Sequence, residues 1–327
     1  MTVRIVKDYR MLKEVLEGLT ATPKTLSPKY FYDKRGAELF DQICTLQGYY
    51  PTRTEVSILE THIVDIITAL GRHPILYEFG SGSSTKTQIL LKNMDDIAGY
   101  VPIDICPDYL YAAAEELRRK FPSLEISPTC ADFCEKVELT DSVTRAHKDC
   151  GRVVFFPGST IGNFTPEEAS HFLFNAASTL GAEGKLLIGV DMIKDVAVLE
   201  QAYDDAGGVT SDFNLNILYR INRELGADFD MSCFRHFAFY NQKLNRIEMH
   251  LTCIQSCQVT IQDHVISFSS GESIHTENSY KYEPQGFIAL AEQSGFRFLQ
   301  RWSDPGEYFS VFLFEVNPFA KSMQKFL

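Results

Sequence analysis

The sequence predicts an α/β fold in which a mostly parallel sheet carries helices on both faces. Strand-like and helix-like segments alternate between residues 75 and 192, and such alternation is typical of parallel sheets. The apolar run 75–79 also reaches the turn Gly80-Ser81-Gly82, after which a helix-forming segment begins. A buried strand passes into a helix in this way beside nucleotide-like ligands, although glycine turns also occur in loops that bind nothing.

The elements follow from hydrophobic periodicity and turn residues. The predicted strands are 75–79, 99–104, 124–129, 152–157 and 185–192, with a closing pair at 296–302 and 308–316. The predicted helices are 1–20, 36–46, 54–70, 84–93, 107–120, one beginning after the capping residue Thr165, and 284–294. Residues 26–33 are expected to form a loop or short turn.

The pattern changes between the fifth and sixth predicted strands. Residues 194–230 indicate helices and residues 234–281 indicate antiparallel strands, which predicts an inserted α+β domain. We expect residues 55–193 and 282–327 to form one domain, and residues 1–54 and 194–281 to form a second that covers the ligand site.

Composition excludes several classes of protein. The chain has 327 residues, 45% of them hydrophobic, a net charge of -12 and no basic run, so nucleic acid is not an expected partner. No secretory signal and no apolar run of membrane-spanning length occur, which favours a cytoplasmic protein. We also expect a monomer. The eight cysteines and eight histidines lack metal-ligand spacing, so no metal is predicted.

The glycine turn indicates which ligand to expect. The third glycine of the dinucleotide fingerprint would fall at Thr85, and a second short strand ends in Asp104 about 20 residues after the turn, where such folds place a ribose-binding acid. These features fit S-adenosylmethionine better than a nicotinamide dinucleotide. Methyl transfer is therefore the predicted chemistry.

Two further loops follow predicted strands. Ala131-Asp132-Phe133 follows the third strand and is a candidate site beside adenine. The loop 158–163 follows the fourth strand, and ligands in open α/β sheets lie beyond the carboxyl ends of strands. Both loops are therefore expected to face the methyl donor.

The chain resembles the histidine-specific Nα-methyltransferases of ergothioneine biosynthesis over nearly its whole length. The segments that carry the resemblance are Phe31-Tyr32-Asp33, Tyr49-Tyr50-Pro51-Thr52-Arg53-Thr54-Glu55, Gly80-Ser81-Gly82, Gly158-Ser159-Thr160-Ile161-Gly162-Asn163, Ala202-Tyr203-Asp204-Asp205, Arg246-Ile247-Glu248-Met249 and Thr276-Glu277-Asn278-Ser279. The resemblance implies a Rossmann-like class I methyltransferase with a mostly parallel seven-stranded sheet and an inserted substrate-binding domain. It also implies trimethylation of the α-amino group of L-histidine to hercynine.

The resemblance also implies a role for each candidate site residue. S-adenosylmethionine would be held by Gly80, Ser81, Gly82, Lys86, Asp104, Asp132 and Phe133. Tyr32 and Asn163 would be catalytic, Tyr32 orienting the amine beside the Gly158 carbonyl and Asn163 binding the substrate carboxylate with Tyr203. The remaining substrate-binding residues would be Tyr49, Thr210, Phe213, Met249, Glu277 and Ser279.

The chemistry of Glu277 and Ser279 is compatible with an imidazole ligand. A neutral imidazole offers one donor and one acceptor, and side chains two residues apart on a strand point to the same side. An exposed strand pair without a ligand is the structural alternative, since most acids lie in water. Two functional alternatives also stay open: a related methyltransferase acting on tryptophan or another indole amine, and a non-catalytic protein that keeps the fold.

Overall fold

A computed structural model describes residues 2–82, 84–135 and 137–318. Met1 of the predicted first helix and residues 319–327 of the predicted first domain lie outside the described residues. Within the described ranges, no helix combines the length and apolar character needed to span a membrane.

The helices follow the predicted order along the chain. They are α1 (Thr2–Thr20), α2 (Lys34–Thr45), α3 (Tyr50–Thr61), α4 (Ile63–Leu70), α5 (Thr85–Asn93), α6 (Pro107–Lys120), α7 (Ser142–Ala146), α8 (Pro166–Leu180), α9 (Val196–Tyr203), α10 (Val209–Leu225) and α11 (Pro284–Gln293). Short 3₁₀ turns occur at Pro28–Phe31, Thr160–Asn163 and Met231–Cys233.

The strands alternate with these helices up to residue 191 and cluster after residue 234. They are β1 (Lys24–Thr25), β2 (Ile75–Phe79), β3 (Gly99–Asp104), β4 (Thr129–Cys130), β5 (Arg152–Phe156), β6 (Lys185–Asp191), β7 (Phe234–Asn241), β8 (Arg246–Cys253), β9 (Cys257–Ile261), β10 (His264–Phe268), β11 (Ser273–Tyr280), β12 (Phe296–Ser303) and β13 (Phe309–Val316).

The chain divides into two compact units. The larger unit contains Tyr50–Lys194 and Tyr280–Leu327, and the smaller contains Met1–Tyr49 and Asp195–Ser279. The divisions therefore fall after Tyr49, Lys194 and Ser279, within five residues of the boundaries expected from the sequence.

The larger unit is built on a mostly parallel sheet. Among the described residues it has seven strands in the order β12-β13-β6-β5-β2-β3-β4. β2 runs parallel to β3 and β5, β3 to β4, and β5 to β6, whereas β13 runs antiparallel to β6 and β12. The predicted α/β fold class is confirmed, and the predicted closing pair of strands runs antiparallel.

The core of this unit lies on both faces of the sheet. Because successive side chains of a strand point to opposite faces, Tyr77 and Phe79 of β2 pack with α8 and α11, while Leu76 packs with α3, α4, α5 and α6. All five residues of β2 are buried. This double burial explains why the strand appears in the sequence as a continuous apolar run.

Two predicted elements differ from the structure. The predicted helix 54–70 is two helices separated at His62, and the first begins at Tyr50 because Pro51 fits the first helical turn, where its missing N–H leaves no bond unmade. The predicted strand 124–129 pairs only at Thr129–Cys130, with an isolated bridge between Tyr100 and Ile126. Pro128 cannot donate to a ladder, which explains the interruption.

The smaller unit contains the expected α+β arrangement. Its described strands form one sheet in the order β1-β11-β8-β7 and a pair formed by β9 and β10. β7 runs antiparallel to β8 and β9 to β10, as predicted for residues 234–281, while the short β1 runs parallel to β11. α10 packs against α2, β7 and β8.

A buried ion cluster lies at the end of β6 in the larger unit. Asp191 is fully buried and accepts from Tyr50 Oη at 2.7 Å, Lys194 Nζ at 2.6 Å and Lys281 Nζ at 2.7 Å. Burial raises the pKa of Asp191, but Lys281 and Lys194 outweigh that effect and the net shift is downward. The two ammonium groups therefore hold the Asp191 carboxylate in its ionised form.

Candidate active site

The glycine turn after β2 adopts a conformation that favours glycine. Gly80 and Gly82 have φ of 68° and 46°, a region in which other residues are strained. The Gly80 N–H donates to the carbonyl of Ile103 at 2.9 Å, so the turn is tied to the end of β3. A Cβ on Gly80 would lie 3.4 Å from the ring of Phe133. The turn thus lies close to Phe133, as the predicted donor site requires.

Asp104 connects the turn to the next helix. Its Oδ2 accepts from the N–H of Gly82 at 3.2 Å, and its Oδ1 accepts from the N–H of Cys106 at 2.9 Å, at the start of α6. Burial raises the pKa of Asp104, while the hydrogen bonds from Cys106 and Gly82 oppose that shift. Each carboxylate oxygen has a further lone pair, so Asp104 can also accept from hydroxyls of a ligand.

Phe133 and Asp132 follow β4 beside this turn. The ring of Phe133 is stacked on Phe79 with an interplanar angle of 9°. Asp132 is half-buried and accepts from the N–H of Cys134 at 3.1 Å. The structure thus brings Gly80, Asp104 and Phe133 together at one edge of the sheet, as the sequence predicted.

Ser81 supplies an independent indication that a ligand binds at this turn. It is 4% exposed, and its Oγ is buried with no hydrogen-bond partner among the described residues. Buried hydroxyls without a partner are uncommon and costly. The turn therefore fits a polar nucleoside ligand such as S-adenosylmethionine.

Lys86 lies in the first turn of α5 and has a partner that sequence reasoning missed. Its Nζ lies 2.5 Å from Oε2 of Glu55, which is fully buried in α3. The same carboxylate accepts from the N–H of Gly158. Glu55 lies in one of the segments that carry the family resemblance, but an acid on a helix usually indicates a solvated face, so the sequence alone does not point to this contact.

The loop after β5 presents Gly158 and Asn163. Gly158 has φ of 81°, and Asn163 is the half-buried last residue of the 3₁₀ turn Thr160–Asn163. Thr165 then starts α8 with the predicted capping box, in which its side chain accepts from the N–H of Glu168 and Glu168 accepts from the N–H of Thr165. Gly158 and Asn163 belong to the larger unit, unlike the other predicted substrate-binding residues.

A cavity in the smaller unit collects most of those other residues. Six of its lining residues were predicted: Tyr49, Tyr203, Thr210, Phe213, Met249 and Glu277. Three were not predicted: Phe40, Ile43 and Ala202. Apolar residues on amphipathic helices look the same in sequence whether they fill a core or line a cavity, so no sequence signal was available for these three.

Polar side chains lie at and beside this cavity. The hydroxyls of Tyr203 and Ser279 lie 2.7 Å apart and are buried. Glu277 is 9% exposed. Burial raises the pKa of Tyr49 well above its usual value, and the neighbouring Tyr203 and Cys44 raise it further. Tyr49 therefore remains a neutral phenol that can donate a hydrogen bond.

Aromatic rings surround the cavity. Tyr32 is half-buried, and its ring centroid lies 5.8 Å from that of Phe40 and 5.8 Å from that of Phe213. The rings of Tyr49 and Tyr203 lie 6.0 Å apart, edge to face. The negative faces of such rings favour a nearby cation.

A buried polar network contacts a residue that lines the cavity. Asn214, which is fully buried, lies with Nδ2 2.8 Å from His236 Nδ1 and with Oδ1 2.8 Å from Thr276 Oγ1. His236 Nε2 lies 2.9 Å from the carbonyl of Tyr203. Burial lowers the pKa of His236, which favours the neutral ring that accepts from Asn214 and donates to Tyr203. The members of this network are far apart in the chain, so the sequence alone gives no signal for it.

Two clusters of potential metal ligands occur among the described residues. One comprises Glu248, His250 and His275, and the other comprises His73, His147 and Cys150. In the first, Glu248 binds Arg246 at 2.7 Å and lies 3.1 Å from His250 Nε2, and the rings of His250 and His275 are stacked at 14°. Neither cluster includes a residue predicted to bind the donor or the substrate.

The fold and the glycine turn are those expected of an S-adenosylmethionine-dependent methyltransferase. Its family follows from comparison with known proteins: a family model described as histidine-specific, S-adenosylmethionine-dependent methyltransferase matches residues 11–316. The chain belongs to this family.

Relatives of known activity agree with the family. The chain is 42% identical over 306 residues to histidine N-alpha-methyltransferase of Mycolicibacterium smegmatis, covering 92% of this chain and 93% of that protein. It is 40% identical to the protein of the same name in Mycobacterium tuberculosis, with the same coverage. It is 27% identical to ergothioneine biosynthesis protein 1 of Neurospora crassa, over 88% of this chain and 32% of that protein.

Proposed function

We propose that the protein transfers methyl groups from S-adenosylmethionine to the α-amino nitrogen of L-histidine, three times in succession, to give hercynine. This would be the first step of ergothioneine biosynthesis. The observation that carries the proposal is the cavity of the smaller unit, where Glu277 and the hydroxyl pair of Tyr203 and Ser279 provide acceptors and donors. The names of the two mycobacterial relatives support the Nα position.

The polar groups match the demands of histidine. Glu277 would accept from the N–H of the imidazole, and Ser279 would donate to the second ring nitrogen. The Ser279 hydroxyl lies 2.7 Å from that of Tyr203, and each hydroxyl can rotate toward its own group of the substrate on binding. A site with such groups rejects ligands that leave them unpaired, and an indole has only one N–H to offer.

The larger unit would bind the methyl donor. When bound, S-adenosylmethionine supplies a methyl group on a positively charged sulfur. Asp104 would accept from the ribose hydroxyls, the Gly80–Gly82 backbone would allow close approach, and Phe133 would pack beside the base. Lys86 would bind the carboxylate of the donor's amino-acid part.

The remaining work of the protein is to place an unprotonated amine. Asn163 and Tyr203 would hold the substrate carboxylate, which fixes the amino group relative to the ring. Tyr32 and the Gly158 carbonyl would orient the lone pair, and the released proton would pass to water. Since three methyl groups must be accommodated and the product is a cation, the aromatic rings of Tyr32 and Phe40 suit the reaction.

Mass spectrometry of L-histidine incubated with the enzyme and S-adenosylmethionine tests the proposal. Products heavier by one, two and three methyl groups are expected, ending in the trimethylated form. Fragmentation should place every methyl on the α-nitrogen and none on the imidazole. Tryptophan, incubated in parallel, should remain unmodified. Methylated tryptophan with unmodified histidine would refute the proposal.

A further inference from the structure

Glu55 has an environment that a helix acid rarely has. It is fully buried in α3 of the larger unit, although burying an unpaired carboxylate is strongly unfavourable. Oε2 lies 2.5 Å from Nζ of Lys86, and the N–H of Gly158 lies 3.1 Å from Oε1 and 2.9 Å from Oε2. One carboxylate therefore binds both the cation of α5 and the start of the loop after β5.

The neighbouring strand leaves space for this carboxylate. Gly189 lies inside β6, and a Cβ there would lie 2.0 Å from Oε1 of Glu55 and 2.8 Å from its carboxyl carbon. Glycine in a strand interior weakens the strand and often marks the close approach of another group. The missing side chain of Gly189 thus creates the niche that Glu55 fills.

A second glycine leaves space for the ammonium. A Cβ on Gly158 would lie 3.2 Å from Nζ of Lys86. The side chain of Lys86 is 16% exposed, so its ammonium retains access to a ligand. An ammonium has three N–H donors, and the bond to Glu55 uses one of them. The other two can reach an anionic group.

We propose that Glu55 is a positioning residue for the methyl donor: it holds the Lys86 ammonium beside Gly158 in the orientation that binds the donor's carboxylate. This rests on the proposed donor-binding role of Lys86. Without Glu55, the flexible lysine side chain would have to be ordered at the moment of binding, which costs free energy.

The proposal makes a prediction opposite to that of simple charge attraction. Glu55→Gln removes a negative charge next to Lys86 and so increases the local positive potential. Charge attraction alone would then tighten the binding of a carboxylate. Positioning predicts weaker binding, because either orientation of the glutamine amide turns its NH₂ group toward Lys86 Nζ or the N–H of Gly158.

Calorimetry with S-adenosylhomocysteine, which carries the same carboxylate, tests this in a double-mutant cycle. Glu55→Gln should weaken binding roughly tenfold, and Lys86→Met should weaken it by a similar or larger factor. The double variant should bind no more weakly than Lys86→Met alone. Unchanged or tighter binding by Glu55→Gln, or additive effects in the double variant, would overturn the inference.

The control is an equally buried carboxylate of the same unit. Asp191→Asn should lower the melting temperature, and any effect on donor binding should be the same with and without Lys86→Met. If Glu55→Gln does not fold, Glu55→Asp retains the charge but shortens the reach, and wild-type donor affinity in that variant would also overturn the inference. Unchanged affinity in Lys86→Met would instead refute the proposed role of Lys86 itself.

Discussion

Two regions of the molecule are built in different ways. One is the donor edge of the larger unit, formed by Gly80, Gly82, Asp104 and Phe133, and the other is the cavity of the smaller unit. At the donor edge, the contacts involve backbone groups of short loops, such as the Gly82 N–H on Asp104 and the Gly80 N–H on Ile103. The cavity is lined by side chains from α2, α9, α10, β8 and β11. A site built from backbone groups depends on a few glycines and one acid. A site built from side chains can change its ligand when the residues that line it change.

The two regions also differ in their buried titratable groups. The donor edge contains Glu78, which is buried in β2 and accepts from the Tyr100 hydroxyl. Burial raises the pKa of Glu78 to about 8, despite the opposing hydrogen bonds. The cavity instead holds the phenol of Tyr49, whose raised pKa keeps it neutral at any physiological pH.

The largest expected effect of a substitution is on stability and concerns Glu78. In the unfolded chain this carboxyl ionises near its ordinary pKa of 4.5, whereas burial in the folded protein raises its pKa to about 8. The folded state thus binds an extra proton in this window, and the free energy of unfolding falls as the pH rises through it.

Glu78→Gln should remove this pH dependence, which lowers the free energy of unfolding by about 5 kcal/mol across the whole window. Urea unfolding at intervals from pH 5 to pH 8.5 measures it, with the exposed Glu116→Gln as the control. Equal slopes for wild type and Glu78→Gln would show that Glu78 is ionised in the folded protein.

The next largest effect concerns the donor edge. Asp104→Ala should weaken the binding of S-adenosylhomocysteine about 100-fold, since it removes a charged acceptor for the ribose hydroxyls and frees the Gly82 N–H. The KM for histidine at saturating donor should change by less than about twofold. Calorimetry and steady-state kinetics measure the two quantities. A comparable loss in both would mean that the two regions are not energetically separate.

A substitution in the cavity should raise the KM for histidine and leave donor affinity nearly unchanged. Glu277→Ala should raise the KM for histidine about 30-fold by removing the imidazole's acceptor, with donor affinity nearly unchanged. The matched control is Glu272→Ala, a half-buried acid just before the same strand that binds Lys24, which should leave KM at the wild-type value. An unaltered KM in Glu277→Ala would remove Glu277 from the substrate site.

The smallest effect concerns a wall of the cavity that only the structure revealed. Phe40→Leu should raise the KM for histidine roughly fivefold, because it removes ring contacts to Tyr32, Tyr49 and Phe213. The wider cavity should also permit slow methylation of larger amino acids, measured by mass spectrometry with tryptophan. A KM equal to that of wild type would show that the ring serves packing alone.

The sequence predicted local features well. The strand, the turn at Gly80 and the acid at Asp104 follow one another within 30 residues, and the structure brings them to one edge of the sheet. The predicted strand 124–129 was wrong for most of its length, because Pro128 has no N–H to donate to a ladder, whatever the apolar pattern around it. The break at His62 has no proline or glycine to mark it.

Features that depend on distant contacts could not be predicted. Phe40 and Ile43 have the pattern of ordinary core residues, and only the folded chain shows that they face a cavity. Glu55 has the pattern of a solvated helix acid, and its burial follows from a missing side chain 134 residues later, at Gly189. The alternation of β11 also slips, since Thr276 and Glu277 are both buried. A strict two-residue alternation would have placed one of these two side chains on the exposed face of the strand.

The cluster around Asp191 has a consequence for how the molecule can change over evolution. Lys194 and Lys281 flank the segment from Asp195 to Ser279 and bind the same carboxylate, and Met192 forms a bridge with Tyr282. The chain therefore leaves the larger unit and returns to it at one point. A segment that leaves and re-enters a unit beside one buried carboxylate can be lengthened or trimmed with little change to the strands on either side of that point.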